Sequence, residues 1–290
     1  SYLNAILTGL LTAAGNSRTP FIVNVAGLVF NVVLDPVLIF GIGPFPELGV
    51  SGAAAATVTA QALVSLLFFK AVLREKVLFP HLRLWVLVPV KVWREIVRIG
   101  VPSAVQNLIY AGISMILTRL ITGWGDLAVA AQRVGSQIES VSWMVGDGFS
   151  AAVNAFLGQN YGAKRYDRVR RGYFCAIAMT AAWGLCTTFL LIGMARPLFS
   201  IFLQEEEVMA IGVNYLRIVG LSQMFMMVEQ TSIGAFSGLG RTLYPSIISV
   251  TFTSARIPVA VLLSSVMGLS GIWWALSISS MVKGCILFVS

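Results

Sequence analysis

The chain has 290 residues, of which 57% are hydrophobic and 11% charged, with a formal charge of +8. A soluble globular domain carries roughly 25% charged residues, so this chain could not cover a water-facing surface. A soluble enzyme, a nucleic-acid binder and a disordered chain are excluded, which leaves a polytopic membrane protein.

About 20 apolar residues cross the hydrocarbon core as a helix. In chain order, full-length candidates are residues 21–40, 50–69, 101–121, 127–157, 172–191, 208–235, 244–266 and 268–289, eight complete spans. Ser1–Ala14 is apolar but too short to cross, and the chain does not begin with Met. It reads as the end of a helix whose start is missing, and the chain as N-terminally truncated. A signal peptide fits less well, because no basic leader is present and the segment runs into Arg18, Thr19 and Pro20.

Basic residues orient the spans. Lys70, Arg74, Lys76, Arg83, Lys91, Arg94 and Arg98 flank one linker, and Lys164, Arg165, Arg168, Arg170 and Arg171 fill another. With Arg18 and Arg241 in two short turns, fourteen of the twenty basic residues fall on alternate connections. The positive-inside rule makes that face cytoplasmic, which accounts for the charge excess without a nucleic-acid partner. The Gly158–Arg171 stretch is basic and holds two glycines, but it lacks the order of a phosphate-binding loop and reads as a connection holding two helices in register. The single histidine, His81, and the scattered Cys175, Cys186 and Cys285 suit neither a metal centre nor a disulfide framework.

Two segments repeat. Gly15-Asn16-Ser17-Arg18-Thr19-Pro20 corresponds to Gly240-Arg241-Thr242-Leu243-Tyr244-Pro245, an offset of 225 residues. Gly49-Val50-Ser51-Gly52 corresponds to Gly268-Leu269-Ser270-Gly271, an offset of 219. Each copy reads as a turn, a helix, a short outer turn and a returning helix in the same orientation, so the repeat is parallel. Extending the offset predicts a parent chain of about twelve spans in two six-helix lobes.

Charges inside spans need a reason, since each costs on the order of 2.5–3.5 kcal/mol on insertion scales. Asp35 lies mid-helix with Asn31 one turn earlier on the same face. Pro36 removes a backbone donor and frees a carbonyl, so an oxygen-rich cage for a hard cation or a proton-carrying carboxyl is expected there. In the fourth span Gln132, Ser136, Glu139 and Trp143 form one stripe at helical spacing, followed by Asp147. This stripe either lines a cleft or seals one helix to another. Arg119 and Arg133 read as anchors near the span ends. Arg217 and Glu229 are buried by position in the sixth span, Arg256 occupies the repeat position of Asn31, and Lys283 lies near the end of the eighth. How Glu139, Asp147 and Glu229 pair with Arg217, Arg256 and Lys283 is left open by the sequence. Met224, Phe225, Met226 and Met227 offer a soft, adaptable surface.

Together these landmarks resemble the multidrug and toxic compound extrusion (MATE) family. The resemblance is carried by Ala14–Pro20, Asn31-Val32-Val33-Leu34-Asp35-Pro36, Leu48–Thr57, Ala128-Val129-Ala130-Ala131-Gln132 and Gly158–Lys164, in that order. It implies an all-α, two-lobe helical bundle, with helices four (its end) to twelve present. The remainder of the N-terminal lobe would occupy residues 1–75, a cytoplasmic linker 76–95 and the C-terminal lobe 96–290. It further implies a monomeric, multi-pass antiporter of the cell inner (plasma) membrane. Such a protein exports amphipathic, cationic drugs and toxic organic compounds in exchange for H+ or Na+, without a cofactor and without enzymatic activity. A lipid-linked oligosaccharide flippase of the same superfamily is the alternative, kept open by the intramembrane cations. The resemblance maps Asn31 and Asp35 onto a first-lobe cation site, with Thr57 joining them and Na+ as a possible occupant. The substrate-cleft candidates are Gln106, Gln132, Ser136, Glu139, Trp143, Met224, Met227, Glu229 and Arg256. The acid that many members carry on helix seven is absent here, where Gln106 and Asn107 stand, which favours coupling through Asp35.

Overall fold

The computed structural model describes residues 2–44, 46–74, 89–203 and 205–290. Among the described residues every regular element is helical. They are α1 (Tyr2–Ala13), α2 (Arg18–Phe40), α3 (Gly49–Arg74), α4 (Val90–Thr122), α5 (Asp126–Gly162) and α6 (Tyr166–Gly193). The rest are α7 (Ala195–Ser200), α8 (Glu206–Gly220), α9 (Gln223–Gly238), α10 (Leu243–Ser254), α11 (Arg256–Met267) and α12 (Leu269–Val289). The chain divides into two compact units, Ser1–Leu87 and Val88–Ser290. His81, Lys76 and Arg83 lie outside the described residues. Lys91 and Arg94, expected in a linker, lie in the first turns of α4.

The internal repeat has a backbone basis. Gly15 and Gly240 both adopt positive φ, 89° and 69°, at equivalent turns before α2 and α10. A side chain at either position would meet the steric penalty that excludes most residues from this region. In the first copy the turn is closed by the Thr19 N–H donating to Asn16 Oδ1 at 3.1 Å. The second landmark also repeats. A Cβ on Gly52 would overlap the Leu38 carbonyl, and one on Gly271 would overlap the Leu263 carbonyl. Leu38 and Leu263 are themselves 225 residues apart. The same glycine-on-backbone contact therefore fastens α2 to α3 in one unit and α11 to α12 in the other. Small residues at such crossings let helices approach closely where lipid offers no hydrophobic contrast.

Among the described residues, six helices or helix pairs are long and apolar enough to cross a membrane: Arg18–Phe40, Gly49–Leu73, Val90–Thr122, Tyr166–Gly193, Leu243–Met267 and Leu269–Val289. The pair α8 and α9, bent by 50°, makes a seventh. The eighth span expected from sequence lies inside α5, whose 37 residues are ample in length. It falls short on apolarity because Gln132, Arg133, Ser136, Glu139 and Asp147 interrupt it. Many large apolar side chains, among them Phe21, Leu66, Leu108, Met115 and Phe189, are exposed on the outer helix faces. That pattern matches hydrocarbon as the surrounding solvent.

Two interrupted spans in the second unit have a local structural basis. Pro258 cannot donate to the Ser254 carbonyl, and the helix interrupts there, between α10 and α11. At the bend between α8 and α9, side chains from neighbouring helices take up freed carbonyls. Thr188 Oγ1 donates to Gly220 O at 2.9 Å and Ser277 Oγ to Ile218 O at 2.7 Å. A broken helix at membrane depth requires this kind of internal satisfaction. Around it, Phe199, Tyr215, Leu216 and Trp273 form the core of the largest apolar cluster.

Candidate functional site

In the first unit Asn31 and Asp35 are neighbours on α2, the Asn31 Nδ2 donating to Asp35 Oδ1 at 3.3 Å. Both side chains are half-buried. Pro36 sits inside the helix, so the Val32 carbonyl lacks its usual donor on the same stretch. Thr57 is not drawn into this group. Its side chain is exposed and its hydroxyl donates to Ala53 O of its own helix at 3.0 Å.

The second unit holds two adjoining cavities, of about 450 Å³ and 310 Å³. The α5 stripe forms one wall: Gln132, Ser136, Glu139 and Trp143 all line the larger cavity. Gln106, Asp147, Glu229 and Gln230 line the smaller. Tyr110, Trp143, Met226, Arg256 and Ser280 border both. Two pieces of the wall are fastened across the bundle. Tyr215 Oη donates to Glu139 Oε2 and Gln223 Nε2 to Glu139 Oε1, each at 3.0 Å. Trp273 Nε1 donates to Gln132 Oε1 at 3.1 Å. Tyr215 and Gln223 stand on either side of the α8–α9 bend, so the bend aims two donors at one carboxylate.

The charged groups sort themselves in a way that the sequence left open. Lys283 Nζ lies 2.7 Å from Glu229 Oε1, with side-chain exposures of 6% and 8%. Lys283, near the end of its span in sequence, is therefore a buried pair member. Arg256 is buried and donates through Nε and Nη2 to Ser279 and Ser280 at 2.5 and 3.0 Å, over the Tyr110 ring. Arg217, expected to be buried, is exposed: it sits on the outer face of α8, whose inner face carries Tyr215, Leu216 and Ile218. Arg133, expected as an anchor, contributes to the wall of the larger cavity.

The methionine run distributes around its helix. Met226 reaches the cavities, while Met227 is fully buried beside Gly146 and Gly184. The Met224 backbone packs on Gly184, and Met224 is absent from both cavity walls. Tyr110, Tyr215 and Gln223 are wall or support residues that sequence reasoning missed. Their only signal was polarity within apolar helices.

This architecture is that of a multi-pass α-helical membrane protein with a polar, charged cavity inside one bundle. The MatE family profile matches residues 102–262, and the chain belongs to that family, whose members are transporters and not enzymes. Among curated relatives, the probable multidrug resistance protein NorM of Thermotoga maritima is 32% identical over 93% of this chain and 58% of its own length. The probable multidrug resistance protein YoeA of Bacillus subtilis is 27% identical over 94% of this chain and 60% of its own. The chain thus spans about three-fifths of the length of these relatives. Among solved structures, MATE in the straight conformation superimposes with a TM-score of 0.90 at 21% identity, covering 99% of this chain and 64% of that one. An outward-facing multidrug resistance MATE transporter of the MOP superfamily gives 0.89 at 22%, with the same coverage. At these identities the likeness speaks to the fold.

Proposed function

We propose that this chain forms the larger part of a cation-coupled antiporter of the inner (plasma) membrane. It exports amphipathic, cationic organic compounds by alternating access in exchange for H+ or Na+. The observation that carries the reading is the α5 wall of the larger cavity. Gln132, Ser136, Glu139 and Trp143 present a carboxylate, hydrogen-bonding groups and an aromatic face to one space, the mixture that a site for organic cations requires. The names of the Thermotoga and Bacillus relatives support multidrug export.

Coupling falls to Asn31 and Asp35 on α2, where a carboxylate, an amide oxygen and the freed Val32 carbonyl offer oxygen ligands to a hard cation or a place for one proton. The residues suit either ion. The test is ethidium efflux from proteoliposomes holding the full-length protein, with a pH or a Na+ gradient imposed in turn. Efflux driven by one gradient identifies the coupling ion. Efflux with neither, in protein shown to be inserted, removes the antiporter reading.

A further inference from the structure

We propose that Arg256 is an anion-binding subsite, which takes the carboxylate or phosphate of an aromatic amphiphile occupying the second-unit cavities. The inference rests on the reading of those cavities as the substrate site and adds a second charge preference to it. Arg256 is 7% exposed, yet it stands where the two cavities adjoin and lines both. Its position follows from the interrupted helix, since it is the first residue of α11, just past the break that Pro258 imposes.

A buried guanidinium normally has a carboxylate beside it, because an uncompensated charge in low dielectric is costly. Two acids on the cavity walls are committed elsewhere, and the third, Asp147 on the wall of the smaller cavity, makes no ion pair with Arg256. Glu229 pairs with Lys283, and Glu139 accepts from Tyr215 and Gln223. No carboxylate lies within ion-pairing distance of Arg256 among the described residues. Its hydrogen-bond partners are neutral hydroxyls: that of Tyr110 and, at known atoms, Ser279 on Nε and Ser280 on Nη2.

The two serine bonds use the side edge of the guanidinium and hold the plane in place. With Tyr110 as a third hydroxyl partner the five N–H donors are not all used, and the edge made of Nη1 and the second Nη2 hydrogen lies away from the two serines. That edge matches a carboxylate or phosphate bidentately, which a lysine at the same position could not do. Tyr110, over which Arg256 lies at 6.0 Å, and Trp143 border both cavities and supply aromatic surface for the rest of the ligand. A ligand spanning the larger cavity would set its anionic end at Arg256 while Glu139 faces the other wall.

The test is calorimetric binding of 2-naphthoate and 2-naphthamide, which share one ring system and differ in charge, to the full-length protein in phosphatidylcholine nanodiscs. The wild type should bind naphthoate at least about tenfold more tightly. Arg256→Gln should bring the two ligands to parity without weakening naphthamide, and Arg256→Lys should retain only part of the preference. Equal affinities in the wild type, or a preference that survives Arg256→Gln, overturns the proposal. The wild-type comparison decides the matter even if the variants fail to fold. Repeating it with phosphatidylglycerol in the discs separates the sources of the anion. Naphthoate binding abolished by that lipid would assign Arg256 to a headgroup and overturn the substrate role, whereas unchanged binding supports it. Ethidium binding separates this inference from the wider reading. Retained ethidium binding without a naphthoate preference removes the anion subsite alone, and loss of both removes the cavity as a substrate site.

Discussion

Lys283 and Glu229 face each other at 2.7 Å from α12 and α9, and both side chains are almost wholly buried. This pair joins two helices inside the second unit, on the wall of the smaller cavity. Removing one partner of a buried pair leaves a bare charge and costs about 3–5 kcal/mol, whereas replacing both by apolar groups is often neutral. Lys283→Met should therefore lower the thermal midpoint of the purified protein markedly. The double variant Lys283→Met with Glu229→Leu should recover most of the loss. Thermal unfolding in detergent followed by intrinsic fluorescence checks this, and an additive double variant would show that the pair contributes little.

The repeat glycines make a second prediction. Gly271→Ala forces a Cβ into the Leu263 backbone, which cannot move aside without separating α11 from α12. A loss of about 1–3 kcal/mol is expected, as for other overpacked sites. Gly112→Ala on α4 is the matched control, since a methyl group there would have nothing within 4 Å. It should be neutral or stabilise by up to about 1 kcal/mol through helix propensity. Parallel unfolding curves of the two variants test whether the glycine landmark is about packing or about helix propensity.

Glu139 carries a third. Its two carboxylate oxygens accept from Tyr215 and Gln223, and the group borders the larger cavity. Glu139→Gln keeps the shape but removes the charge and sets an amide N–H₂ against one of those donors. Ethidium affinity should fall at least about tenfold, roughly 1.4 kcal/mol. Tyr215→Phe, which leaves the charge in place, should change it far less. Equilibrium binding by ethidium fluorescence compares the two.

Much of this arrangement could be read from the chain, and the reasons are physical. Apolar runs of helical length mark the spans, and the glycines that repeat at offsets of 225 and 219 mark the turns because those positions need positive φ. The stripe from Gln132 to Trp143 was legible because helical periodicity places its members on one face. Partners across the bundle were not. Gln223 is 84 residues from Glu139 and Trp273 is 141 from Gln132, and nothing local in sequence selects one polar residue among many. The methionine run misled for a related reason: consecutive residues turn by about 100° around a helix, so only one face of the run meets the cavity. Arg217 looked buried by position, but helix rotation and not sequence depth sets which side faces the core.

The central claim is that Asp35 couples ion movement to export, and replacing that one oxygen tests it most directly. Asp35→Asn in the full-length protein preserves the side-chain shape and a partner for Asn31 while removing the carboxylate that takes the ion or proton. In proteoliposomes of matched protein content, gradient-driven ethidium efflux should be lost while equilibrium ethidium binding is retained. Efflux at the wild-type rate from Asp35→Asn would contradict the claim and move the coupling to another group.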